Sequence, residues 1–136
     1  PLLWGGSVLA ARASRRLAQW MRRATGRIAL SADSASLRPI IESAPRRDPF
    51  ADPDLEGETR RPVLVVMDDA ETEHAAVHRE LEHLCASHDV TVRSVTLPLG
   101  IDERSSSMDR YVALLLQGSF AAVYLALGLD RLEEMT

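Results

Sequence analysis

The stretch Arg61-Pro62-Val63-Leu64-Val65-Val66-Met67-Asp68-Asp69 runs five apolar residues together, three of them β-branched, and ends abruptly in two acids. A strand with one wet face alternates apolar and polar residues, whereas an unbroken apolar run belongs to a strand covered on both faces. Strands of that kind sit in parallel sheets between layers of helices. The run therefore restricts the chain to an α/β fold, expected as a three-layer α-β-α sandwich around a mainly parallel sheet of about four to five strands in a flavodoxin-like or Rossmann-like topology.

The flanking sequence supplies the remaining layers. Pro1-Leu2-Leu3-Trp4 reads as a short strand, Gly5-Gly6-Ser7 as a tight turn, and Val8 to Met21 as an amphipathic helix that stops near Thr25-Gly26. Ile28-Ala29-Leu30 is predicted as a second strand. Ser34 is predicted as the cap of a helix over Ala35–Ser43, with Pro39 either inside that span or in the first turn of a later-starting helix. Residues 45–60, with Pro45, Pro49, Pro53 and Gly57, read as a linker. After the central strand come a helix over Glu71–Ser87, a strand over Val90–Leu97 and a loop over Pro98–Arg104. Ser105-Ser106-Ser107 should cap a helix from Met108 to Gln117, which Gly118 separates from a last helix over Phe120–Leu129. At 136 residues this is one domain, residues 1–136, in two portions (1–44 and 61–136) about the linker.

Several function classes are excluded or disfavoured. All sixteen basic residues are arginines, so neither a Schiff-base lysine nor a P-loop lysine is available. Cys85 is the sole cysteine and permits no internal disulfide, and no apolar run approaches the length of a membrane span. The expected setting is cytoplasmic, with no membrane partner. The first residues lack a charged segment before a cleavage site and do not read as a signal peptide; starting inside an apolar run, the chain reads as a fragment of something longer. Residues 1–50 carry nine arginines against three acids, and residues 51–136 seven against seventeen. The basic front half invites nucleic-acid binding, but no helix-turn-helix, zinc or RNA-binding pattern accompanies it, and docking on an acidic partner domain explains it more simply.

Candidate chemistry is sparse. Gly5, Gly6 and Ser7 would leave free amides at a helix N-terminus, where an anion can sit, although a plain strand-to-helix turn uses the same residues. Asp68 and Asp69 lie at the C-terminal end of the central strand, where open α/β sheets bind ligands; capping the next helix is their commoner use. His74 and His78 are four apart on one helix face, but Ala75 stands where a His-Glu-x-x-His motif needs its glutamate, so no metal site is expected. Cys85 falls on the apolar stripe and reads as packing rather than nucleophile.

The stretch Leu114-Leu115-Leu116-Gln117-Gly118-Ser119-Phe120-Ala121-Ala122-Val123-Tyr124-Leu125-Ala126-Leu127 resembles the C-terminal signature of the bifunctional phosphoglucose/phosphomannose isomerase family, Leu-x-x-Gly-Asp-Phe-x-Ser-Val-Tyr-Leu-Ala, with Ser119 for the aspartate and Ala122 for the serine. The front pattern Trp4-Gly5 with Leu9-Ala10 fits the second sugar-isomerase (SIS) subdomain of that family. The resemblance implies a SIS-like domain, a missing N-terminal SIS subdomain, a homodimer, and metal-free, cofactor-free interconversion of glucose or mannose 6-phosphate with fructose 6-phosphate. It also implies a glutamate base in a Gln-x-Asn-Glu-Asn-type segment and a histidine sixteen residues later. Aligning Gln19 with that glutamine puts Arg22 at the glutamate and Arg38 at the histidine. A guanidinium stays protonated and cannot take a carbon-bound proton, so both positions are degenerate. Arg22 and Arg38 then become candidate anion contacts beside Gly5, Gly6 and Ser7. Asp33 and Glu42 are the nearest carboxylates, and Arg131-Leu132 replaces the family's Pro-Thr.

Overall fold

The computed structural model describes residues 1–44, 50, 61–70 and 72–128. Four strands, β1 (Leu2–Gly5), β2 (Leu30–Ser31), β3 (Val63–Met67) and β4 (Thr91–Val95), form one sheet in the order β2-β1-β3-β4, every pair parallel. Among the described residues four helices flank it: α1 (Val8–Thr25), α2 (Ser34–Glu42), α3 (Ala75–Ser87) and α4 (Ser107–Gly128).

Side-chain alternation along each strand divides the core in two. Leu3, Val65 and Met67 point to the side where α1 and α4 pack, against Ala13, Leu17, Met21 and Leu114. Leu2, Trp4, Leu64 and Val66 point to the other side, against Leu37 and Ile41 of α2 and Leu81 and Cys85 of α3. The unbroken apolar run of β3 exists because consecutive residues feed opposite cores. From β1 the chain moves to β2 on one side and then to β3 on the other. That reversal of direction accompanies the change of face between α1 and α2.

Helix ends explain most boundaries. Ser7 caps α1, its Oγ accepting from the Ala10 N–H at 3.0 Å; at the other end Gly26 takes a left-handed φ of 64° and donates to the Arg22 carbonyl. Asp33, not Ser34, caps α2 by accepting from the Ser36 N–H at 2.8 Å, so α2 begins one residue earlier than the expected Ala35. Pro39 stands inside this helix, the first of the two placements left open by the sequence, and the second strand is shifted to Leu30–Ser31, where it pairs with Leu2 and Leu3. Helix α3 starts only at Ala75, because Ala70 has a left-handed φ of 64° and Asp68 turns its carboxylate back onto the Ala70 N–H at 3.0 Å. The strand expected over Val90–Leu97 is paired only over Thr91–Val95. The expected linker lies outside the described residues, apart from Phe50.

The largest departure is at Gly118. The two short helices expected on either side of it form one helix, α4, capped by Ser106, whose Oγ accepts from the Asp109 N–H. Gly118 is buried and faces α1: a Cβ there would come within 3.2 Å of the Leu17 side chain. It is a point of close helix contact rather than a break. Fusing the two segments also overturns the reading that nothing approaches a membrane span. Ser107–Leu127, at 21 residues, is long and apolar enough to cross a membrane by length and composition, though a third of it is buried against the protein.

Candidate functional site

In a parallel sheet of order β2-β1-β3-β4 the connections leaving β1 and β3 diverge to opposite faces, which opens a crevice above their C-terminal ends. Two adjoining clefts occupy this position. One, of about 460 Å³, lies between the β1-α1 turn and the β2-α2 turn and is lined by Gly6, Ser7, Arg15, Ser31, Asp33 and Ser34, among others. The second, of about 250 Å³, lies between the β1-α1 and β3-α3 turns and includes Asp68, Asp69, Thr72 and His78. Trp4, Gly6, Ser7 and His74 border both.

The floor is fixed by steric necessity. A Cβ on Gly5 would lie 2.3 Å from the backbone carbonyl of Ala10, so only glycine lets β1 pass this close under the first turn of α1. A Cβ on Gly6 would meet the Cβ of His74 at 2.6 Å. That contact seats His74 on the turn and separates the two clefts.

Ser7 and Asp69 join the two switch-point strands. The Ser7 hydroxyl donates to Asp69 Oδ2 while accepting from the Ala10 N–H, so both its proton and a lone pair are engaged. Asp69 is buried, and Arg110 of α4 donates from Nη1 to its backbone carbonyl at 3.3 Å. The paired acids thus have separate local tasks, and His74, at the capping position of α3, makes no side-chain cap bond. Asp68 closes its own turn, and Asp69 ties β3 to the start of α1.

The cleft beside β2 has the more ligand-like chemistry. The N-termini of α1 and α2 both open onto it, each with amides beyond the one its cap consumes. Arg15 is an exposed cation on its wall. Ser31 and Ser34 add hydroxyls, although Ser31 shares its oxygen with buried Ser14 at 2.6 Å. Asp33 is held below the usual carboxylate range by the Ser36 backbone amide, which favours its charged form.

Of the residues singled out in the sequence, Gly5, Gly6 and Ser7 line this cleft. Arg22 and Arg38 do not. Arg22 lies in the last turn of α1, at the N-terminal end of the sheet, and donates to the Ala29 carbonyl at 2.6 Å; Arg38 is exposed on α2. Arg15, which the sequence reading passed over, is the arginine at the cleft. It stands two turns into a helix that starts at the glycine turn, so its spacing from Ser7 was the available signal. Glu42, at the far end of α2, is also outside the cleft, whereas Asp33 borders it.

The histidine pair does not converge with further ligands. His78 Nε2 lies 3.2 Å from Glu82 Oε1 and its ring packs 5.9 Å from that of Trp4, and among the described residues no three His, Cys, Asp or Glu side chains are grouped to hold a metal ion. Cys85 is fully buried in the α2/α3 core, and burial, with Glu82 nearby, pushes its thiol above the ordinary value. No family model and no curated protein matches the chain.

Proposed function

We propose that this chain is a SIS-like domain of a phosphosugar-isomerase homologue that binds a hexose phosphate in the cytoplasm without isomerising it. The observation that carries the reading is the convergence of two helix N-termini, the Gly5-Gly6-Ser7 turn and Arg15 on one cleft at the switch point of the sheet. Free amides and a guanidinium suit a phosphate dianion, and Asp33 and Ser34 suit sugar hydroxyls. An aldose–ketose isomerase also needs a base that can shuttle a proton between adjacent carbons. Arg22 and Arg38 occupy the positions that the family resemblance assigns to such groups, and neither can act as one. The candidate carboxylate in the cleft, Asp33, is committed to capping α2.

Calorimetric titration with fructose 6-phosphate, mannose 6-phosphate and fructose, alongside a coupled isomerase assay, tests this. Binding of the phosphates but not of fructose, weakened about tenfold or more in Arg15→Ala, with no turnover, is the expected result. Turnover would show that the catalytic groups are supplied by residues other than those named. Absence of binding would leave a non-catalytic dimerisation or regulatory domain, and the exposed apolar face of α4 favours the second of these.

A further inference from the structure

The core-facing side of α4 is occupied by Leu114, Gly118, Ala122 and Ala126, all buried. Its opposite side is apolar as well. Met108, Val112, Leu116, Phe120, Tyr124 and Leu127 recur at intervals of four or three residues, so they form one stripe, and they are 46–71% exposed. No charged residue occurs from Tyr111 to Leu127. A helix apolar all round is ordinarily covered on every side, and a stripe running about 28 Å along an axis is on the scale at which exposed apolar surface marks an interaction site.

The neighbouring helix specifies what covers it. Helix α1 packs beside α4 on the same side of the sheet, with Leu17 lying at Gly118 and Trp20 packed on the same core. Residues 1–32 hold six arginines and no acid. Helical spacing places Arg12, Arg16 and Arg23 on the outward part of α1 nearest to Trp20, and the Arg16 guanidinium lies 5.6 Å over the Trp20 ring. Arg93, exposed on β4 in register with Val65, points to this side too. The apolar stripe thus has a cationic border.

We infer that the outward face shared by α1 and α4 docks a protein partner presenting an apolar helix bordered by carboxylates. A second copy of the chain suits the face poorly, since antiparallel pairing of two α4 helices sets one acid-free α1 against the other, and like charges across an interface oppose association. An anionic bilayer suits it poorly as well. Asp109, three residues before Val112 and seven before Leu116, is exposed on the stripe itself, where an anionic surface would repel it. A protein can set a cation there and carboxylates along the arginine border. This inference holds whether or not the cleft binds a sugar phosphate, because the face lies outside the switch-point loops.

The test uses the full chain and two synthetic helical peptides with the same leucine face, one flanked by glutamates and the other by lysines, titrated by calorimetry. The glutamate-flanked peptide should bind at least tenfold more tightly at low salt, and the difference should shrink as salt is added. Leu116→Asp with Phe120→Asp should abolish its binding. Arg12→Glu with Arg16→Glu and Arg23→Glu should reverse the preference, with circular dichroism showing each variant folded. Equal binding, or none, overturns the inference. So does a dimer of the full chain that Phe120→Asp converts to monomer in light scattering, which would assign the face to a second copy. Co-sedimentation with phosphatidylglycerol vesicles that Phe120→Asp abolishes would assign it to lipid and overturn the inference equally.

Discussion

Ser7 shows how one hydroxyl can be necessary to a fold and thereby unavailable for chemistry. It caps α1 and satisfies a buried carboxylate from the neighbouring strand, so its removal strikes two elements at once. Ser7→Ala should cost about 2–3 kcal/mol in urea unfolding, combining the loss of a cap with the loss of the serine's hydrogen bond to a buried carboxylate. A cost below about 1 kcal/mol would mean that water replaces the hydroxyl. Cys85 gives a second test at this scale. Its folded thiol titrates above the ordinary 9.0, so the folded chain binds more protons than the unfolded one in that range. Stability contributed by the neutral thiol is complete below pH 9 and declines as pH rises through the folded value. Cys85→Ser, followed by thermal unfolding between pH 8 and 10, should flatten the decline. Thiol reagents should modify native wild type only on the timescale of its opening.

Among the elements, α4 is where local signals and packing disagree most. Glycine lowers helix propensity by about 1 kcal/mol relative to alanine, which is why Gly118 looked like a boundary. The structure keeps the helix intact because a side chain at that point would press on Leu17. Gly118→Leu should therefore destabilise by about 1–3 kcal/mol through overpacking despite its better propensity, as measured by denaturant midpoint. A stabilised variant would show that α1 and α4 can separate without loss. The cap of α4 was legible because serine before an apolar helical run has a local cause. The start of α3 was not, because the left-handed Ala70 and the turn closed by Asp68 carry no glycine to announce them.

At the scale of the whole molecule, the sheet separates two cores that share no side chains. Leu17 belongs to the α1/α4 side and Ile41 to the α2/α3 side, and both are essentially inaccessible. Leu17→Ala and Ile41→Ala should each cost about 2–5 kcal/mol, and the double variant should equal their sum to within about 0.5 kcal/mol. A larger coupling would mean that strain passes through the sheet.

The parallel α/β class was already fixed by the apolar run of β3 and by the helical spacing on either side of it, because burial of both strand faces and amphipathic periodicity are properties of neighbouring residues. The glycine turn after β1 was readable for the same reason. Strand order was not, since nothing local tells β3 to pair with β1 rather than with β2. That choice placed Gly5, Gly6 and Ser7 beside Asp69 and brought Arg15 to the cleft while leaving Arg22 at the opposite end of the sheet. It likewise set α4 beside α1, so that an uncharged helix face and an acid-free arginine helix, far apart in sequence, became one surface. Contacts between distant segments depend on how two packed layers share one sheet, and that is settled only when the cores on both of its faces close.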